Sequence, residues 1–282
     1  MVNEEAAPAL MTRTWLNSLM QRYDLRPHKT LGQNYVVDPN TIRRIVRLSG
    51  IQPGDQVIEI GPGLGSLTLG CIEVGADVLA LEIDDRVLPA LSEVVGDKAR
   101  VLHCDALTVE WSQLLGPGPY MVIANLPYNV AASVVLNMLA QAPAARSFLV
   151  MVQREVAQRF VATPGTKAYG IPSVKTAFWG TATMVGDVPA DVFVPKPNVA
   201  SSLVRIDRHP TSALPDPEFV FPLVQAGFAQ RRKTLRNSLS GMVSAEAFRL
   251  AEIDPGDRPE QLGIEAWVRL SEAVSSSAKP SG

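Results

Sequence analysis

The stretch Val57-Ile58-Glu59-Ile60-Gly61-Pro62-Gly63-Leu64-Gly65-Ser66 decides the fold of this chain. Its first four residues predict a buried strand, three glycines follow, and a helical pattern begins at Ser66. Glycines at a strand-to-helix turn let the backbone pass close to a ligand, and the N-terminus of the helix lends positive potential. The stretch therefore predicts a strand, loop and helix that bind a ligand at the carboxyl end of the strand.

The glycine loop and an acid at the end of the next strand limit the classes of ligand. A dinucleotide fingerprint has a glycine at its sixth position, where this chain has Ser66, so NAD is disfavoured. Glu82 lies 21 residues after Gly61, near the spacing of about 20 at which an acid binds ribose hydroxyls. Together with Glu59 before the glycines, these positions favour a ligand that contains a nucleoside and lacks a pyrophosphate.

Strands and helices alternate on both sides of this unit. Strands are predicted at residues 57–60, 78–82, 101–105, 121–124 and 148–152, with helices at 66–75, 86–95, 109–115, 131–140 and 154–161. Such alternation predicts an α/β fold, a Rossmann-like parallel sheet covered by helices. Residues 163–172 are expected to be a loop, and strands at 181–188 and 202–206 are expected to form a hairpin that closes the sheet.

Polar residues follow the third and fourth predicted strands. Asp105 is placed to accept a hydrogen bond from an adenine amine, and Asn125-Leu126-Pro127-Tyr128 follows the next strand. Asn125 offers a side-chain carbonyl and amide, Pro127 stiffens the turn, and Tyr128 presents a flat face for stacking. The motif predicts a pocket for a planar base with an exocyclic amine. An ordinary strand-to-loop turn is the alternative for these four residues taken alone.

Charge is segregated along the chain, although the net charge is only −2. Residues 51–142 hold eleven acids against three bases, whereas residues 143–236 hold twelve Lys and Arg against six acids. Such segregation allows a nearly neutral protein to present one positive face to a polyanion. Arg231 and Lys233 belong to the densest basic run, which is interpreted as a phosphate-contacting edge; a solvated helix end is the alternative.

A proline-rich segment at residues 210–218 predicts a domain boundary. The segments after it have helical patterns, so we expect a small helical bundle, with helices at 220–229, 233–242, 245–253 and 264–273. The expected organisation is an N-terminal extension (1–20), a catalytic domain (21–212), a helical domain (213–274) and a flexible tail (275–282).

The composition excludes several classes of protein. Two cysteines, Cys71 and Cys104, suggest a reduced compartment without disulfides, and three scattered histidines make a metal site unexpected. No apolar run approaches the roughly 20 residues of a membrane helix, and the first ten residues carry acids where a signal peptide carries bases. These features predict a soluble cytoplasmic protein without a membrane partner.

The motifs together resemble those of the ribosomal RNA adenine N6-dimethyltransferase family, in its small-subunit branch. The resemblance extends over most of the chain and rests on the segments 31–36, 59–65, 81–84, 104–106, 125–128, 153–156, 168–170, 193–197 and 230–239. It implies a class I methyltransferase sheet followed by a small helical RNA-binding domain. The 230–239 run favours the small-subunit branch over the related large-subunit rRNA methyltransferases.

The resemblance also implies a cofactor and a substrate. The cofactor is S-adenosyl-L-methionine, and its expected contacts are Asn34, Val36, Gly61, Gly63, Glu82, Asp105 and Asn125. The implied target is two adjacent adenosines in the 3′-terminal hairpin loop of small-subunit (16S) rRNA, each methylated twice on N6. The expected partner is this rRNA within an immature small subunit, and the protein is expected to be a monomer.

A mechanism can be predicted on this basis. The Asn125 side-chain oxygen and the Pro127 carbonyl would each accept one N6 hydrogen and so localise the nitrogen lone pair. Tyr128 would stack on the extruded base, and Phe193 would close on its other face. A core aromatic is the alternative for Phe193.

Departures from the family pattern are few, and other functions remain open. Tyr35 and Ala200 stand where family members often have Phe and Asp. The alternatives are a large-subunit rRNA methyltransferase, a small-molecule methyltransferase, and a non-catalytic ribosome assembly factor. The last would be expected to lose one of the acceptors Glu82, Asp105 and Asn125, all of which are present.

Overall fold

The computed structural model describes residues 9–28, 32–127, 130–210 and 215–277. The chain divides into two compact units. The first consists of Met1–Ala157 and Thr183–Arg208, and the second of Gln158–Ala182 and His209–Gly282. Within the described residues, no helix combines the length and the apolarity needed to cross a membrane.

A seven-stranded sheet forms the centre of the first unit. In chain order the strands are β1 (Tyr35–Val36), β2 (Gln56–Ile60), β3 (Asp77–Glu82), β4 (Ala99–His103), β5 (Tyr120–Asn125), β6 (Ala145–Gln153), β7 (Gly180–Val188), β8 (Phe193–Val194) and β9 (Ser201–Arg208). The sheet order is β4-β3-β2-β5-β6-β9-β7, and β1 and β8 form a separate two-stranded sheet.

The first five strands of the sheet are parallel, as the alternating pattern predicts. β2 lies between β3 and β5, β4 is next to β3, and β6 is next to β5. β9 joins β6 in antiparallel orientation. The order reverses between β2 and β5, and ligands of open α/β sheets bind in the crevice beyond the carboxyl ends of strands at such a point.

The helices of the first unit cover the sheet. They are α1 (Arg13–Arg22), α2 (Pro39–Ser49), α3 (Ser66–Val74), α4 (Leu88–Val95), α5 (Trp111–Leu114), α6 (Ala131–Gln141) and α7 (Arg154–Val161), the last of which runs into the second unit. Over its described residues, 9–20, the expected N-terminal extension is not a separate element, since Leu16 and Leu19 of α1 are fully buried in the hydrophobic core. Burial of these two apolar side chains in that core makes α1 part of the first unit. Residues 1–8 of the expected extension lie outside the described residues.

The second unit is helical, and it is larger than the sequence predicts. Its further helices are α8 (Ile171–Trp179), α9 (Pro217–Ala229), α10 (Leu235–Ser238), α11 (Ala245–Leu250) and α12 (Ile264–Ser277). The expected boundary near residue 212 is wrong for residues 158–182. Phe178 of α8 packs edge-on against Phe221 of α9, with ring centroids 4.9 Å apart, so apolar burial assigns α8 to the helical unit.

Two further expectations about this unit need correction. The helix expected at 233–242 is only the short α10, and Gly241, within the expected range, has a left-handed φ of 80° that an α-helix does not accommodate. Residues 275–277, expected to belong to a flexible tail, are part of α12, which continues to Ser277. Residues 211–214 of the expected hinge and residues 278–282 of the expected tail lie outside the described residues.

Candidate active site

A pocket lies in the first unit, beyond the carboxyl ends of β2, β3, β4 and β5. Each strand end contributes a polar side chain to its wall, and these are Glu59, Glu82, Asp105 and Asn125. Residues 32–36, which precede and form β1, line the pocket as well. The structure therefore brings together all the cofactor contacts that the sequence predicts: Asn34, Val36, Gly61, Gly63, Glu82, Asp105 and Asn125.

The glycine loop has a backbone conformation that favours glycine. Gly61, Gly63 and Gly65 have φ angles of 67°, 58° and 85°, in the left-handed region. A Cβ atom on Gly63 would lie 2.6 Å from Cε1 of Tyr35, so a side chain there would collide with the ring. The glycine loop can approach the segment of residues 32–36 only because position 63 has no side chain.

Glu82 connects the glycine loop to the end of β3. Its Oε2 atom accepts a hydrogen bond from the Gly63 N–H at 2.8 Å, and Oε1 accepts from the N–H groups of Ile83 and Asp84 at 2.9 Å each. Only 4% of Glu82 is exposed. Burial raises the pKa of this carboxyl, and the three backbone donors oppose that rise by stabilising the charged form. Glu82 is thus an oriented acceptor in the pocket wall.

Two buried polar groups in the pocket wall were not predicted as site residues. Glu59 accepts a hydrogen bond from Oγ1 of Thr68 at 2.6 Å, and burial raises its pKa to about 8. The Ser66 hydroxyl is buried and has no hydrogen-bond partner within the described part of the chain. An unpartnered buried hydroxyl in a pocket wall fits a polar ligand. The glycine-loop motif was the signal that could have identified both residues.

Asn125 ends β5 at the edge of the pocket. Its side-chain Nδ2 donates to the backbone carbonyl of Asn34 at 2.7 Å. The N–H of Leu126 donates to the Met151 carbonyl at 3.1 Å, which continues the β5–β6 pairing past the strand end. Because Nδ2 is engaged, the side chain presents Oδ1 as its acceptor. The orientation of this amide is therefore set by the segment that forms β1.

The Pro127 carbonyl, expected to accept from the substrate amine, already has partners within the protein. This carbonyl accepts hydrogen bonds from the N–H groups of Val130 at 3.2 Å and Ala131 at 3.1 Å. These bonds satisfy donors at the start of α6, which otherwise have no partner within the helix. Pro127 still lines the pocket, but its oxygen serves the helix start. Tyr128, the expected stacking partner, lies outside the described residues.

Phe193 is a core residue, which is the alternative that the sequence left open for it. Its side chain is 1% exposed and belongs to the hydrophobic core of the first unit. Phe193 pairs with Val36 in the two-stranded sheet of β1 and β8, and it does not line the pocket. This pairing turns the ring into the core, where burying an aromatic side chain is strongly favourable.

The predicted phosphate contacts lie in the second unit and differ in their surroundings. Arg231 donates from Nε to Glu260 at 2.7 Å and from Nη2 to the Lys167 carbonyl at 3.1 Å. Its charge is therefore balanced by an acid that lies 29 residues further along the chain. Lys233 is exposed, as are Arg232 and Arg236. The exposed positive charge of the run thus lies at residues 232, 233 and 236.

The fold is that of the class I methyltransferases. Two solved structures share the fold. The 23S rRNA methyltransferase ErmE has a TM-score of 0.65 and 24% identity, covering 86% of this chain and 99% of that one. A dimethyladenosine transferase from Plasmodium falciparum has a TM-score of 0.69 and 22% identity, covering 83% of this chain and 94% of that one.

Sequence comparison identifies the family. The model of the ribosomal RNA adenine dimethylase family matches residues 25–276. A protein of Kineococcus radiotolerans named ribosomal RNA small subunit methyltransferase A is 46% identical, over 100% of this chain and 97% of that protein. The protein of the same name from Mycobacterium avium is 47% identical, over 93% of this chain and 87% of that protein. The chain belongs to the ribosomal RNA adenine dimethylase family.

Proposed function

We propose that this enzyme uses S-adenosyl-L-methionine to dimethylate N6 of two adjacent adenosines in the 3′-terminal hairpin loop of small-subunit rRNA. The observation that carries the proposal is the Asn125 amide, which is held by the Asn34 carbonyl at the edge of the pocket. The relatives named ribosomal RNA small subunit methyltransferase A support this choice of RNA.

The residues of the pocket fit this cofactor. Glu82 offers an oriented carboxylate for ribose hydroxyls, Asp105 lies at the next strand end, and the Ser66 hydroxyl is a buried polar atom that a ligand could satisfy. Gly61 and Gly63 line the pocket, and neither has a side chain that would keep a ligand away from the backbone. When bound, S-adenosyl-L-methionine supplies an electrophilic methyl group at its sulfonium.

Asn125 acts on the target amine. Adenine N6 is a poor nucleophile because its lone pair is delocalised into the ring. Oδ1 of Asn125 accepts one N6 hydrogen and favours a geometry in which the lone pair is localised on nitrogen. The Asn34 carbonyl keeps the amide in this orientation before the substrate arrives, so no reorganisation is needed during the reaction. Since the Pro127 oxygen accepts from the start of α6, we assign the contact with the amine to Asn125.

Binding of the RNA requires contacts outside the pocket. Arg232, Lys233 and Arg236 are exposed in the second unit and provide positive charge for phosphates. Tyr128 is the proposed stacking partner of the target base, on sequence grounds alone. The proposed partner is the rRNA within an immature small subunit in the cytoplasm, bound by a monomer.

The test is methyl transfer from radiolabelled cofactor to small subunits that lack the modification, followed by mapping of the labelled nucleotides. We expect label on two adjacent adenosines of the 3′-terminal hairpin loop, with dimethyladenosine as the final product. Label in large-subunit rRNA would favour the related large-subunit activity. Stable binding to small subunits without any transfer would favour a non-catalytic assembly factor.

A further inference from the structure

Residues 32–36 form a strap that lines the pocket wall; we call this segment the cofactor strap. One end is held by strand pairing, because Tyr35 and Val36 pair with Val194 and Phe193 in the sheet of β1 and β8. Its middle is held by Asn125, which donates to the Asn34 carbonyl at 2.7 Å. The remaining attachment, at Gln33, has no role in the function proposed above.

Gln33 uses both ends of its side-chain amide. Nε2 donates to Oδ2 of Asp84 at 2.8 Å, and Oε1 accepts from the backbone N–H of His28 at 2.9 Å. The Gln33 N–H also donates to the His28 carbonyl at 3.4 Å. The side chain therefore ties the start of the strap to Asp84, a residue 51 positions further along the chain.

Asp84 is a firm anchor for this contact. It is 5% exposed, and its Oδ1 accepts from Nε of Arg86 at 2.7 Å and from the Arg86 N–H at 3.2 Å. Hydrogen bonding to Arg86 lowers the pKa of the Asp84 carboxyl, with a further contribution from Gln33. The Asp84 N–H donates to Oε1 of Glu82 at 2.9 Å. Asp84 would thus remain paired with Arg86 if Gln33 were removed, whereas the strap would lose its link to the Glu82 side of the pocket.

We propose that Gln33 is a positioning residue that acts through Asp84 to hold the cofactor strap against the Glu82 side of the pocket, and so sets the affinity for the cofactor. The proposal rests on the function proposed above. It assigns a role to three residues, Gln33, Asp84 and Arg86, that are not among the expected cofactor contacts. It also separates two of the three attachments of the strap: Gln33 governs retention of the cofactor, and Asn125 governs the reaction.

The first test compares Gln33→Ala with wild type by calorimetric titration of S-adenosyl-L-homocysteine in the absence of RNA. We expect affinity to fall about tenfold, the effect of losing one or two hydrogen bonds. At saturating cofactor, kcat should stay within about twofold while the KM for the cofactor rises. The matched control is Gln52→Ala, which removes an exposed glutamine whose Nε2 donates to the Gly50 carbonyl away from the pocket.

The second test exchanges the amide and the carboxylate between positions 33 and 84. Gln33→Glu places a carboxylate against Asp84 and is expected to weaken binding more than Gln33→Ala, because like charges repel. Combining Gln33→Glu with Asp84→Asn removes this repulsion and restores an amide and a carboxylate across the same contact. It leaves one negative charge near Arg86, and it removes the bond that Arg86 Nη2 donates to Oδ2 of Asp84. The double variant should bind more tightly than Gln33→Glu alone, a rescue that a general loss of stability would not produce.

Three results would overturn the proposal: unchanged affinity in Gln33→Ala, no rescue in the double variant, or a fall in the unfolding midpoint of ligand-free Gln33→Ala that accounts for the weaker binding. A loss of kcat at unchanged cofactor affinity would also contradict it. Failure of the wild-type chain to bind S-adenosyl-L-homocysteine would instead overturn the proposed function, and the role of Gln33 with it.

Discussion

Asn125 donates its side-chain amide to the backbone carbonyl of Asn34 across 91 positions of sequence, at a distance of 2.7 Å. The residue at the end of β5 is thereby oriented by the strap that lines the pocket. A hydrogen bond that fixes the amide leaves its oxygen as the acceptor for a substrate. This relationship connects the cofactor pocket to the amine that is to be methylated.

Asn125→Ala is expected to reduce kcat for methyl transfer by about 10²–10³, because it removes a preorganised acceptor for the amine. Asn125→Asp should also be impaired, since its carboxylate would face the Asn34 carbonyl in place of a donor. Single-turnover transfer to unmodified small subunits measures the effect. Titration with S-adenosyl-L-homocysteine checks that the affinity of the pocket for the cofactor is unchanged. Asn198→Ala, at an exposed position, is the control. Near wild-type transfer in Asn125→Ala would contradict the lone-pair argument.

Glu59 is expected to make stability depend on pH. Its pKa rises from 4.5 to about 8 through burial, so the folded protein keeps a proton that the unfolded chain releases. The stability from this group is present below the unfolded value and decreases as pH rises from about 4.5 to about 8. Denaturant unfolding at several pH values in this window measures the slope.

In Glu59→Gln, which cannot ionise, that decrease should be absent. The exposed Glu110→Gln is expected to keep the wild-type slope and serves as the control. Identical slopes in wild type and Glu59→Gln would show that Glu59 is ionised in the folded protein.

Substitutions of Phe193 distinguish a packing role in the core from a stacking role on the target base. Its ring is buried in the core, so Phe193→Ala should cost about 3–5 kcal/mol, while Phe193→Leu should cost no more than about 1.5 kcal/mol. We expect Phe193→Leu to keep most of its methyl transfer, measured beside its free energy of unfolding. If Phe193→Leu is stable but has lost methyl transfer, that result would favour the expected stacking of the aromatic ring on the target base.

The basic run should contribute unequally to RNA binding. Lys233→Ala combined with Arg232→Ala removes exposed charge, so RNA affinity should fall and the dependence of log K on log salt should become shallower by about two. Arg231→Ala should change the salt dependence less, because Arg231 is paired with Glu260. RNA binding measured across a salt series distinguishes the double variant from Arg231→Ala. Equal slopes for wild type and the double variant would exclude these residues as phosphate contacts.

Much of the fold was predictable because it depends on local patterns. Apolar runs and glycines identified β2, the loop after it and α3, and the alternation of elements identified the parallel sheet. Strand ends of a parallel sheet meet at one edge, so Glu82, Asp105 and Asn125 could be assigned to a single pocket from the sequence. These predictions needed only the period of each element and the direction of the sheet.

What the sequence alone determined is therefore the sheet, the glycine loop and the set of acceptors at its carboxyl edge. The tertiary structure decided which partner each polar group takes: Gln33 with Asp84, Arg231 with Glu260, and the Pro127 carbonyl with the start of α6. It also decided that Phe193 faces the core and that α8 belongs to the helical unit. Such pairings depend on which distant segments the fold brings within hydrogen-bonding or packing distance, and no local period of the sequence encodes that distance.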